Sequence, residues 1–246
     1  MWTFPKIIAH RGGGSLAPEN TLAAFQCGFN SGFRAVEFDV MLTKDLVPVV
    51  VHDENLGRTV AGSGLICDML ARDLFKLDAG SWFGPEFGHV RVPAYRDVLK
   101  FCTDNGIWMN VEIKPATGFE VITGKIVAEL TCDFYSNMCQ TLPLFSSFSL
   151  DALTVAQVVA PQVSRGVLFD KIPVDWRQQV ARFNAVSLHT NHQYLTAAVA
   201  AEIKQAGIGL SCYTVNDSVR AQEILGWGVD ALFTDNLTKI AADFGL

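Results

Sequence analysis

The chain has 246 residues, a net charge of −6, half of its residues hydrophobic and only 18% charged, which excludes a disordered polypeptide and leaves no basic footprint for nucleic acid. Mean hydropathy is positive, but no apolar run reaches the roughly 18 residues of a spanning helix, so stable membrane insertion is not expected. The six scattered cysteines form no CxxC pair and read as free, mostly buried thiols of a reducing compartment.

In chain order, the first expected strand is 6–10 (KIIAH), which runs into His10, Arg11 and three glycines. Residues 20–32 (NTLAAFQCGFNSG) follow as a helix with Leu22, Phe25 and Phe29 on one face and Gly32 as its stop. The second strand is 35–40 (AVEFDV). Residues 47–53 (VPVVVHD) read as an extra strand or arm, and about 54–92 as a small insertion rich in glycine, aromatics and proline. Strands at 108–114, 142–147, 164–169, 185–189, 209–215 and 231–235 then alternate with helices at 118–131, 149–160, 175–183, 194–207 and 217–228. Without the extra arm this makes eight strands separated by helices, the pattern of a parallel (β/α)8 TIM barrel, here a single domain over 1–246. The N-terminal stretch lacks the basic and apolar regions of a secretion signal, so a cytoplasmic protein is expected.

Most of the strands share one habit: they end in polar residues. The first ends at His10 and Arg11, the second carries Glu37 and Asp39, the arm ends at His52 and Asp53, and 108–114 carries Glu112 and Lys114. Later ends hold Ser146 and Ser147, His189, Thr214 and Asn216, and Thr234 and Asp235. In a barrel these ends gather at one rim, where barrel enzymes place their chemistry. Residues two apart on a strand face the same way, so Glu37 pairs with Asp39 and Glu112 with Lys114. Three carboxylates from neighbouring strands suit one hard divalent cation, Mg²⁺ or Ca²⁺, and no Cys/His cluster has zinc spacing. His10 and His52 form an acid–base pair suited to phosphodiester cleavage, and Arg11 and Lys114 supply the positive charge for a phosphoryl group. The segment GFEVITGKI is no P-loop, because its glycine spacing is too long and Ile126 stands where Ser or Thr should be.

Together AHRGGGSLAPENTLAAF, VEFDV, VVVHDENLGRT, VEIKP, YTVND and GVDALFTD resemble the glycerophosphodiester phosphodiesterases, most closely the short cytosolic bacterial type, over nearly the whole chain. The resemblance implies a barrel with a small insertion after the second strand. It also implies hydrolysis of a small-molecule glycerophosphodiester, a deacylated phospholipid head-group ester, to sn-glycerol 3-phosphate and an alcohol. The metal ligands would be Glu37, Asp39 and Glu112, the catalytic histidines His10 and His52, and the phosphate contacts Arg11 and Lys114. Glu19, Asn20, Asp53, Phe148, His189 and Tyr213 are expected around this set as supports or substrate wall, with Glu19 holding His10 or Arg11. Tyr213 stands where the family usually has Trp. A homodimer is left open. Two rivals follow from the same residues: a barrel phospholipase or lyase that acts on intact lipid and releases a cyclic phosphate, and a phosphodiester-binding protein without catalysis. A sugar-phosphate isomerase on the same fold is a weaker third.

Overall fold

The barrel begins on a strand of three buried residues, β1 (Ile7–Ala9). In the computed structural model, which describes residues 3–245, there follow α1 (Leu22–Asn30), β2 (Ala35–Leu42), β3 (Pro48–Val50), the single turn α2 (Ala71–Leu74), α3 (Tyr95–Asp104) and β4 (Trp108–Ile113). Strict alternation then sets in: α4 (Glu120–Tyr135), β5 (Leu144–Ser147), α5 (Leu150–Val159), β6 (Ser164–Phe169), α6 (Trp176–Arg182), β7 (Ser187–Asn191), α7 (Ala197–Gln205), β8 (Gly209–Tyr213), α8 (Ser218–Gly226) and β9 (Ala231–Thr234).

Eight of these strands are parallel and close on themselves, β1 pairing β9 at Ile7↔Leu232 through Ala9↔Thr234 and β2 at Ala9↔Val36. The chain is therefore a (β/α)8 TIM barrel. The period-2 logic holds in β2: Glu37 and Asp39 point inward, while Phe38 turns out to the helices. Its ring meets Phe25 of α1 edge-on at 5.4 Å and Tyr95 of α3 at 6.0 Å. Burying each such side chain contributes about 1.5–3 kcal/mol. Helix starts are set by side-chain oxygens, with Thr21, Ser149, Thr196 and Asp217 each accepting a backbone N–H in the first turn.

Helix α3 was not anticipated, although its buried Tyr95, Val98, Leu99 and Cys102 repeat at helical spacing. The proline-rich approach to it masked the period. The extra arm is a strand, and its sense sets how His52 arrives. β3 runs antiparallel to β2, with Val40 opposite Val50, so β2 overshoots the rim and β3 comes back down. Because β1 is so short, the upper edge of β2 is open to receive it. His52 thus reaches the rim from above rather than at the end of a barrel strand. Between β3 and α3 the chain builds a small apolar cluster of its own, with Val60, Ile66, Leu74, Ala79 and Val92 packed on Met41, Val49 and Val51.

The cysteines are free; Cys67, Cys102 and Cys212 are buried, Cys27 and Cys132 half-buried and Cys139 exposed. No helix among the described residues is long and apolar enough to cross a membrane.

Candidate active site

The strand ends of β1, β2 and β4 and the return from β3 converge on a cavity of about 290 Å³. His10, Arg11, Glu37, Asp39, His52, Glu112 and Lys114 line it, together with the apolar surfaces of Phe148, Leu168, Tyr213 and Phe233. Parallel pairing sets Asp39 opposite Glu112. The three carboxylates are buried, and one oxygen of each lies within 4.8 Å of the others.

Three buried acids at this range cannot all carry full charge without help. Burial raises Glu37 well above the ordinary carboxylate range, and the charges of Asp39 and Glu112 raise it further. Burial and Asp39 together push Glu112 up to about 8. Burial would raise Asp39 too, but it is overcome by Lys114, Arg11 and His52 and by a hydrogen bond from Asn20, so Asp39 titrates below the usual range. The Lys114 ammonium is 3.3 Å from Asp39 Oδ1, the Arg11 Nε is 3.7 Å from Oδ2, and Asn20 Nδ2 donates to Oδ2 at 2.9 Å. The site fits a hard divalent cation: its donors are all oxygen, and Glu112 Oε1 is buried with no hydrogen-bond partner.

Each histidine is held by a carboxylate on Nδ1. His10 Nδ1 meets Asp235 Oδ1 at 2.6 Å, and His52 Nδ1 meets Asp53 Oδ1 at 2.6 Å. A carboxylate there accepts the Nδ1 proton and leaves Nε2 for other work. His10 Nε2 lies 3.7 Å from Glu37 Oε2. Burial lowers the His52 pKa from its ordinary value, with Arg11 and Lys114 acting in the same direction against Asp39 and Asp53.

The sequence profile of the glycerophosphoryl diester phosphodiesterase family matches residues 10–239. The chain belongs to that family. It is 32% identical over 230 residues to the glycerophosphodiester phosphodiesterase of Caldanaerobacter subterraneus subsp. tengcongensis, a match covering 94% of this chain and 93% of that one. A phosphodiesterase from Oleispira antarctica, solved with its product sn-glycerol 3-phosphate, superposes with a TM-score of 0.89 at 35% identity over 96% of this chain and 95% of that one. The glycerophosphodiester phosphodiesterase of Agrobacterium tumefaciens superposes with a TM-score of 0.80 at 27% identity, covering 97% of this chain and all of that one.

Within this family member the supporting residues divide clearly. Glu19, Asn20 and Asp53 stand behind the cavity wall, against Arg11, Asp39 and His52 respectively. Glu19 holds Arg11 and not His10; that histidine is held across the barrel seam by Asp235. Phe148 and Tyr213 meet edge-on at 6.0 Å and form part of the wall. His189 reaches the cavity floor but is fully buried, hydrogen-bonded to Ser187 at 2.9 Å and packed on Phe233. Burial lowers its pKa to about 3, so it is neutral. Gly166 makes room for that ring, since a Cβ there would lie 2.8 Å from His189 Nε2.

Asp235, Asn216 and Arg58 were not singled out as site residues from the sequence. Asn216 accepts the Asp235 backbone N–H at 2.7 Å and donates to its Oδ2 at 3.0 Å. The signal for Asp235 was its place at the end of β9, which closure brings beside β1. Gly14 secures the same seam: its φ is +53° and a Cβ there would run into the Asp235 carbonyl oxygen. Gly14→Ala is expected to destabilise the fold by about 2–3 kcal/mol, or about 5–10 °C in melting temperature. Activity should fall further than that loss explains, because Asp235 moves away from His10. A scanning-calorimetry trace beside a turnover assay checks both, and a variant with unchanged activity would refute the coupling.

Proposed function

We propose that the protein hydrolyses glycerophosphodiesters to sn-glycerol 3-phosphate and an alcohol, with His10 and His52 as the acid–base pair. The observation that carries this reading is the convergence of two carboxylate-held histidines and a buried acidic triad on one cavity. The product complex of the Oleispira antarctica relative supports the substrate class. The presence of every acid, base and carboxylate in one place speaks for catalysis over passive binding.

Glu37, Asp39 and Glu112 would hold one Mg²⁺ or Ca²⁺, which when bound supplies positive charge to offset the charge that gathers on the phosphoryl oxygens. Arg11 and Lys114 bind those oxygens from the protein side. In the first step one histidine takes the proton of the glycerol 2-hydroxyl as its oxygen bonds to phosphorus. The bond from phosphorus to the alcohol breaks, and the other histidine gives that oxygen a proton. In the second step water attacks the cyclic phosphate and loses its proton to the second histidine; the bond from phosphorus to the 2-oxygen breaks, and that oxygen regains a proton from the first. Each histidine ends as it began. Phe148, Leu168, Tyr213 and Phe233 form an apolar wall beside the reacting groups.

A coupled assay for glycerol 3-phosphate release from several glycerophosphodiesters tests the reading. Release is expected to stop with EDTA and return with Mg²⁺ or Ca²⁺; activity that survives both EDTA and Glu37→Ala would refute the metal assignment. A substrate analogue lacking the 2-hydroxyl is expected to turn over at least about 100-fold more slowly, and undiminished turnover would rule out the cyclic route.

A further inference from the structure

The insertion carries an arginine whose geometry is hard to explain by stability. Arg58 donates through Nη1 to Glu19 Oε2 at 2.8 Å and through Nη2 to Glu19 Oε1 at 2.7 Å. The same guanidinium donates through Nη2 to Asp53 Oδ1 at 3.0 Å and through Nε to Asp53 Oδ2. Glu19 Oε1 also receives Arg11 Nη1 at 2.6 Å, and Asp53 Oδ1 is the atom that holds His52. One planar fork therefore joins the support of the phosphate-binding arginine to the support of a histidine.

We propose that Arg58 is a positioning residue for the reaction, fixing Arg11 and His52 relative to each other through Glu19 and Asp53. The inference rests on the roles given above to those two residues. Neither is held by strand pairing: Arg11 has left β1, with φ at +51°, and His52 has left the three-residue arm β3. Arg58 itself stands on a firm base. Its loop is closed by hydrogen bonds from Leu56 to Gly64 and from Gly57 to Val60, and the adjacent Thr59 and Val60 are buried. The arginine side chain is 48% exposed, so solvent screens part of its ion pairing, and melting temperature separates any stabilising effect from an effect on turnover. Against the effect of burial, the hydrogen bonds from Arg58 and His52 draw Asp53 down to about 2. Lysine cannot copy a fork that grips two carboxylates at once.

The test is steady-state kinetics of Arg58→Gln and Arg58→Lys on a glycerophosphodiester with saturating Mg²⁺, beside His52→Ala. Both Arg58 variants are expected to lose about 10- to 100-fold in kcat, with KM changed less than about threefold and the melting temperature within about 2 °C of wild type. Lysine should recover only part of the loss, and added guanidinium ion should restore turnover to Arg58→Gly where the same concentration of NaCl does not. Turnover within twofold of wild type in both variants overturns the inference, as does a loss matched by a comparable fall in melting temperature. If His52→Ala is inactive while the Arg58 variants are fully active, only this inference fails. Full turnover in His52→Ala overturns the reading of the site and the inference with it.

Discussion

His10→Ala is expected to lower kcat by about 10²–10⁴-fold, the range of a positioned acid or base, while the protein remains folded and still binds Mg²⁺ or Ca²⁺. Asp235→Asn should cost nearly as much, for a reason visible in the geometry. The Asp235 carboxylate can only accept, so it fixes the proton on His10 Nδ1, 2.6 Å away. An amide can instead turn its NH₂ toward Nδ1, which moves the ring proton to Nε2 and reverses what His10 offers the substrate. Asn216→Ala removes the partner that holds Asp235 in place and should cost less, about tenfold. Turnover, melting temperature and calorimetric cation binding on the same samples check the set. If Asp235→Asn works as well as wild type, Asp235 does not set the His10 tautomer.

Glu112→Gln is expected to abolish turnover and at the same time to stabilise the metal-free protein. Burial and the Asp39 charge hold Glu112 at about 8 in the folded state, against about 4.3 in an unfolded chain. Between those values the native protein keeps a proton that the unfolded chain has released. Stability contributed by that proton is fully present below about pH 4 and is lost as pH rises through 8. Near pH 7, holding that proton while the unfolded chain has released it costs on the order of 3–4 kcal/mol, or about 7–15 °C for a chain of this size. Glutamine is neutral throughout and escapes the loss. The metal-free wild type should therefore melt progressively lower from pH 5 to pH 8 in EDTA, and saturating Mg²⁺ or Ca²⁺ should remove the decline. A flat melting profile in EDTA, or a Glu112→Gln protein that melts lower than wild type at pH 8, would contradict this account.

Much of this site was legible because barrel chemistry follows strand ends and strand parity. Glu37, Asp39, Glu112 and Lys114 could be grouped from spacing alone, since two residues apart means one face and parallel neighbours share a rim. Their grouping in space needed only one register, that of β2 with β4. The His10–Asp235 pair was harder, because its partners are 225 residues apart and meet only when the last strand closes on the first. Arg58 left no periodic trace at all: it sits in an irregular loop, and its direction depends on local turns that no hydrophobic pattern records. The sense of β3 could not be read from the sequence for a related reason. An apolar run specifies a strand, but not whether it continues the barrel or doubles back along a free edge.

The charged and the apolar residues that line the cavity come from different stretches of the chain. All the charged residues lining it fall between His10 and Lys114, whereas its aromatic and aliphatic face begins at Phe148. Under the proposed function, the groups that break the bond and the apolar lining beside them would therefore come from different halves of the chain. Substitutions in the second half would then alter the apolar lining without touching the acids and bases of the first, and Asp235, reaching back to His10 from the last strand, is the tether that limits this independence.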